Sequence, residues 1–337
     1  MLVARLHGIA DLRVTEEPPP TVEAGMSLVR VTAVGICGSD LHWWSEGGIG
    51  DSVIDRPVVP GHEAAGVIES GPRRGERVAI DPAIPCGTCE LCLRGYRNLC
   101  VNIRFSGHGT QDGAMAELIA WPSHLLPALP DALTDSDGAL LEPLGVAIHS
   151  VDLGHLPLSG SAAVVGCGPI GLLLVQLLRA AGAGTVIAFD PLAHRREAAL
   201  RLGAELVAEP AQAGLEQLPE LGGYGQNGVD VAFEMAGTDA AVQLAVEVVR
   251  PGGRVVLGGI PGDDNIGFQA SVARRKGLTF AMVRRMNDTY PRAIRLAETG
   301  KVDLSIVSDR FPLARAAEAM TLAAARRGHK TVIEGQS

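Results

Sequence analysis

Residues 162–181 read AAVVGCGPIGLLLVQLLRAA, and the reading of this stretch decides the fold. A short run of small and β-branched residues feeds into Gly166-Cys167-Gly168-Pro169-Ile170-Gly171, and an apolar segment of helix length follows without a gap. This is GxGxxG between a strand and a helix. Gly166 permits the tight turn, Gly168 lets the backbone approach a pyrophosphate, and Gly171 allows close packing of helix on strand. The helix N-terminus, opened by Pro169 and Ile170, then faces the phosphates. The next strand, GTVIAFD, ends on Asp190, at the ~20-residue separation expected of the carboxylate that bonds the adenosine ribose hydroxyls. A carboxylate there repels a 2′-phosphate, which favours NAD over NADP. Arg195 lies over the adenine, pairs with Asp190, or is a solvated residue beside Arg196. Cys167 reads as a small filler.

Working outward, the apolar runs VDVAFEMAG and GRVVLGG alternate with amphipathic stretches of helix length, which predicts a parallel sheet covered by helices over residues 151–284. Before it, residues 1–150 alternate SLVRVTAVG, AAGVIES, ERVAI and AMAELIAW with Gly/Pro turns, the pattern of a mostly antiparallel β domain. After it come two helical segments, PRAIRLAETGKV and LARAAEAMTLAAARR, and a closing TVIEG strand.

A chain of 337 residues, 47% hydrophobic and 20% charged, suits two packed domains and argues against disorder. The net charge of -9 argues against nucleic-acid or anionic-membrane partners and for a small molecule. The amino terminus MLVARLHGIADLRV is an alternating strand pattern without a signal-peptide core, so a cytoplasmic protein is expected. The apolar stretch from Ile170 is interrupted by Gln176 and Arg179 and falls short of the ~20 residues a bilayer span needs.

Six cysteines in a cytosolic chain are better read as metal chemistry than as disulfides. Residues 85–100, PCGTCELCLRGYRNLC, carry Cys86, Cys89, Cys92 and Cys100. Four thiolates on a short Gly-containing lobe match a closed, tetrahedral, structural zinc. An iron–sulfur cluster has the same ligands but no evident electron route here. Cys37 in VGICGSDLHWW, His62 and Glu63 in GHEAAG, and Glu142 in LLEPLGVAIHS remain. A catalytic zinc wants three protein ligands and one open position, and Cys37, His62 and a carboxylate satisfy it.

Taken in order, GICGSDLHWW, IGDSVIDRPVVPGHEAAGVI, the cysteine lobe, LLEPLGVAIHS, GCGPIG with Asp190, and RRMNDTYPRAI resemble the zinc-dependent medium-chain dehydrogenases, in the sorbitol, xylitol and threonine dehydrogenase branch. The resemblance implies an α/β plus β fold. A GroES-like catalytic domain is formed by residues 1–150 and 285–337, with the zinc lobe at 85–100, and a Rossmann NAD-binding domain lies between them with the active-site cleft at the junction. It also implies a homodimer or homotetramer.

Carried over, Cys37 and His62 are catalytic zinc ligands, and Glu63 is a ligand or exchanges with water. Glu142 touches the zinc-bound water or the substrate, or moves onto the metal itself. Ser39 and His42 pass the alcohol proton outward, directly or by way of the cofactor ribose, and Arg285 is a substrate-side arginine near the nicotinamide. Leu257, Gly258, Gly259 and Ile260, with Met282, Val283 and Arg284, supply cofactor contacts. The implied reaction is oxidation of a secondary hydroxyl of a polyol, cyclitol, sugar or aldonate with hydride transfer to NAD. L-threonine and simple secondary alcohols are the alternative substrates, and a non-catalytic NAD- and zinc-binding protein is the remote one. The chain departs from the sugar-alcohol pattern at Trp43 and Met286, where tyrosines are common. Trp44, His108 and Asn287 are expected to shape the pocket instead.

Overall fold

The computed structural model describes residues 1–109, 111–210 and 228–335. The chain divides into two compact units: residues 1–143, 290–298 and 304–337 form the first, and 144–289 with 299–303 the second.

The first unit is organised by the strand Met26–Gly35, whose side chains alternate between the core and the half-exposed face as its β-branched pattern requires. It pairs antiparallel with Glu63–Ile68, with Leu118–Pro122 and with the distant Lys330–Glu334, which in turn pairs parallel with Val307–Pro312. Two of these pairings set Gly35 opposite Glu63 on one side and opposite Val332 on the other. The core below is filled by Leu6, Ile68, Ile80, Met115 and Trp121, all nearly or fully buried. The Trp121 indole N–H donates to the Asp81 carbonyl at 2.8 Å. Trp43 is buried in the same core.

The second unit holds a six-stranded parallel sheet. Its spatial order is Leu206–Ala208, Thr185–Phe189, Ser161–Val165, Val229–Glu234, Val249–Leu257 and Thr279–Met282. In chain order this is 3-2-1-4-5-6, the doubly wound dinucleotide-binding arrangement, with its topological switch beside Ser161–Val165. The helix Pro169–Ala180 begins with proline, which costs nothing at a position whose N–H has no helical partner, and buries Leu172 through Leu178. Gln176 is accommodated in that apolar row because its amide donates to the Asp303 carbonyl at 3.0 Å and accepts from the Asp303 N–H at 2.7 Å. Among the described residues no helix is long and apolar enough to cross a membrane.

Candidate active site

Two neighbouring antiparallel strands bring the metal-ligating residue types together. Met26–Gly35 ends two residues before Cys37, and Glu63–Ile68 starts one residue after His62, so the pairing of Gly35 with Glu63 carries both side chains to the same end of the sheet. The donor atoms of Cys37, His62 and Glu63 all lie within 4.8 Å of one another. Glu142 stands outside this cluster, although it feels the charges of its members. Burial pushes its carboxyl up to about 7, with Glu63 and Asp81 adding to the rise while His62 and Lys330 oppose it.

Each member of the cluster is held from behind. Cys37 is the N-cap of the helix Gly38–Glu46, and its backbone N–H donates to Asp40 Oδ2 at 2.9 Å. Asp40 Oδ1 accepts from the Gly61 N–H at 3.2 Å and faces His62 Nδ1 across 3.5 Å. Burial acts to raise the Asp40 carboxyl, but the His62 charge and the bonds from His62 and Cys37 outweigh it, so it titrates below the usual carboxylate value. The same pairing lifts His62 well above the ordinary imidazole value, with Asp40 and Cys37 overcoming the opposing effect of burial. With Nδ1 turned to Asp40, Nε2 is left for a metal, the carboxylate–histidine arrangement that fixes a ligand's orientation. Ser39 Oγ lies 3.4 Å from that Nε2.

Glu63 is held by a residue from the far end of the chain. Lys330 on Lys330–Glu334 puts its ammonium against Glu63 Oε2, and both side chains are 1% exposed. Lys330 Nζ also donates to the Ile36 carbonyl at 2.8 Å. The pair fits only because residue 35 is glycine, since a Cβ there would lie 2.1 Å from Glu63 Oε2.

The four cysteines of the lobe also converge, their sulfurs within 4.8 Å of one another. The Cys86 N–H points at Cys100 Sγ and the Cys89 N–H at Cys86 Sγ, both at 3.3 Å, as suits thiolate acceptors. Backbone N–H groups of Thr88 and Cys89 bring the Cys86 thiol down to about 5.

In the second unit, Gly166 has φ +98°, a left-handed conformation that favours glycine, and a Cβ on Gly171 would sit 1.9 Å from the Gly166 carbonyl oxygen. At Gly168 the nearest atom to such a Cβ is Arg195 Nη1 at 3.8 Å, so this backbone stays open to a ligand. Asp190 is buried at the end of its strand, where it accepts the Cys167 and Leu192 N–H groups, both at 2.8 Å. A carboxylate has about four lone-pair sites, so two remain for ribose hydroxyls. Arg195 Nη1 stands 4.0 Å from Asp190 Oδ2, with its side chain 15% exposed.

Beyond the neighbouring strand ends, the Gly258 and Gly259 N–H groups donate to the Glu234 carbonyl and the Val283 N–H donates to the Leu257 carbonyl at 2.8 Å. Ile260 and Met282 are exposed. Arg285, just after Arg284, has φ +56°, an uncommon backbone for a non-glycine residue.

Residues 23–131 match the alcohol dehydrogenase GroES-like domain, and residues 169–299 match the zinc-binding dehydrogenase family. The chain is 34% identical over 328 residues to sorbitol dehydrogenase of Bacillus subtilis, covering 95% of this chain and 92% of that protein. The chain belongs to the zinc-dependent medium-chain dehydrogenases.

Within the family it falls in the sorbitol/xylitol branch. This dehydrogenase is also 35% identical over 343 residues to a probable D-xylulose reductase A of Neosartorya fischeri, covering 98% of this chain and 95% of that one. The solved structure of L-idonate 5-dehydrogenase from Escherichia coli superposes with a TM-score of 0.91 at 27% identity, covering 99% of this chain and 97% of that one. The donor sets of the dehydrogenase fit the groups its family implies. A thiolate, an imidazole and a carboxylate match one zinc, four thiolates match another, and the open Gly168 backbone with Asp190 matches a dinucleotide.

Sequence patterns alone did not single out Asp40, Lys330 or Glu46. Asp40 carried a signal, an acid three residues after an N-cap position, which is the spacing of a capping box. Lys330 carried none, because one lysine in a short strand reads as an exposed position.

Proposed function

We propose that this protein oxidises a secondary hydroxyl of a polyol, cyclitol, sugar or aldonate to a ketone, reversibly, with NAD as hydride acceptor. The observation that carries the reading is the approach of Cys37, His62 and Glu63 to within 4.8 Å in a chain that also presents Asp190 at a GxGxxG turn. Sorbitol, xylulose and idonate, named for the three relatives, share a secondary hydroxyl or ketone on a polyhydroxylated chain, which supports the substrate class.

Zinc held by Cys37, His62 and Glu63 would polarise the substrate hydroxyl, NAD would take up hydride, and a second zinc on Cys86, Cys89, Cys92 and Cys100 would brace the lobe. The protein's own part is to hold and to move charge. Asp40 fixes the His62 ring, and Lys330 keeps one oxygen of Glu63 engaged. Asp190 reads the adenosine ribose and disfavours a 2′-phosphate. Ser39, beside His62, accepts the hydroxyl proton while giving up its own, and His42, one helical turn on, accepts that proton for release to water. An imidazole suits that task because its unperturbed pKa is ~6.5. Glu142 acts as the nearby buried carboxyl that contacts substrate or water, while the substrate-side role of Arg285 rests on the resemblance alone.

The test is NAD and NADP reduction by the zinc-loaded protein with a panel of polyols, cyclitols, aldonates, L-threonine and simple secondary alcohols. Turnover of a polyol or aldonate with NAD is expected. Turnover of threonine or simple alcohols alone would replace the substrate class, and a preference for NADP would remove the role given to Asp190.

A cytoplasmic homodimer or homotetramer is part of the same reading. The strand Thr279–Met282 ends the parallel sheet with Met282 66% exposed, an edge suited to pair with a second copy of the chain. Sedimentation equilibrium should give a multiple of the 35.1 kDa chain mass, and a monomer would exclude the assembly.

A further inference from the structure

The helix Gly38–Glu46 carries both the buried and the more exposed residues of the relay. Ser39, Asp40 and Trp43 are buried, while His42 and Glu46, spaced i and i+4, are neighbours on the helix surface and more exposed, with Ser39 one turn before His42. His42 Nδ1 and Glu46 Oε2 are 2.9 Å apart, with side chains 22% and 44% exposed. Glu46 makes no other hydrogen bond or ion pair among the described residues.

Glu46 is badly placed for helix stability. It is the last residue before the Gly47 cap, at φ +80°, and the last turn holds no basic residue. A carboxylate at a helix C-terminus opposes the macrodipole, which disfavours the helix. An exposed i,i+4 pair returns little. Stability therefore gives little reason for an acid at this position, and its single partner is the histidine assigned to proton release.

We propose that Glu46 is a positioning residue for that histidine, selecting the tautomer in which Nδ1 carries the proton and Nε2 is the acceptor. The inference rests on the relay role given to His42 above. A neutral imidazole has one donor and one acceptor nitrogen, and the partner of one nitrogen fixes the role of the other. With Nδ1–H donated to Glu46, Nε2 is free to accept the proton arriving from Ser39. The imidazolium that forms stands beside a carboxylate, which stabilises the added charge. It returns to the starting tautomer when Nε2 releases the proton to bulk water. No atom or electron is exchanged with Glu46, whose contribution is orientation and charge.

The test compares Glu46→Ala, His42→Asn and the double variant in the zinc-loaded enzyme, with 15N chemical shifts of the His42 ring as a second readout. Glu46 is exposed, so folding should survive its loss. Glu46→Ala should lower kcat about tenfold, a small part of the ~10²–10⁴ that a positioned general base contributes. KM should stay within about twofold. His42→Asn should cost more, and Glu46→Ala should add nothing to it. The 15N signals should report Nδ1–H in the parent and a shift towards Nε2–H in Glu46→Ala. Unchanged kcat or an unchanged tautomer in Glu46→Ala, with His42→Asn still costly, would overturn the inference and leave the relay standing. Full activity in His42→Asn would overturn the relay and the inference with it.

Discussion

Replacing Cys37 with serine is expected to remove about one of two bound zincs per chain and to lower kcat by ~10³-fold or more, the several kcal/mol that a Lewis-acid metal supplies. The substitution is a clean one. Cys37 is the N-cap of Gly38–Glu46, and serine is among the preferred N-cap residues, so the helix and its bond from the backbone N–H to Asp40 should persist. The four thiolates of the lobe lie apart from this change and should keep their metal. Metal analysis together with steady-state rates reads both effects. Two zincs in an active Cys37→Ser enzyme would show that the cluster of Cys37, His62 and Glu63 is not the catalytic metal site.

Lys330→Met should destabilise the first unit by about 3–5 kcal/mol in the metal-stripped protein. Lys330 and Glu63 are each 1% exposed at the side chain, so removing the ammonium strands a carboxylate where water cannot solvate it. The expectation has an internal control, because Glu63→Gln in the same chain removes the stranded charge and should recover most of the loss. Zinc provides a second control. If Glu63 is a ligand, the metal neutralises it and the loaded Lys330→Met protein should lose less stability than the stripped one. Urea unfolding with and without zinc measures both quantities. Equal losses would argue that Glu63 stays off the metal, and a loss below ~1 kcal/mol in the stripped protein would mean that the pair behaves like a solvated surface bridge.

The features legible in the sequence are those whose geometry is local. GxGxxG is read from spacing because a turn and a helix start are made by consecutive residues, and the lobe is read from four cysteines within fifteen positions of one another. The sheet order of the second unit follows from the same logic, since alternating apolar runs and helices leave few ways to wind. The cluster of Cys37, His62 and Glu63 is legible only as residue types. Whether Cys37 meets His62 depends on which strand pairs with Met26–Gly35 and in which register, and a shift of one residue would move each side chain to the opposite face. For the same reason the sequence leaves Glu63 and Glu142 as equal candidates for the metal's carboxylate, while the pairing of Gly35 with Glu63 draws one into the cluster and leaves the other outside. The burial of Trp43 is not legible from the motif, because an aromatic beside site residues carries no mark of which way its helix face turns. Its position on the inward face of a nine-residue helix makes it core.

The hydrogen bond from Lys330 to the Ile36 carbonyl joins residues 294 apart. On a ribosome adding ~5–20 residues per second, about 15 to 60 s separate the two ends of this contact. During that interval Cys37, His62 and Glu63 have all been synthesised, yet the lysine that neutralises Glu63 and the strand that seals Gly35 have not. The buried partner of Glu63 and the strand beside Gly35 are thus the last parts made, and the cluster of Cys37, His62 and Glu63 can reach its final surroundings only after synthesis of the final strand.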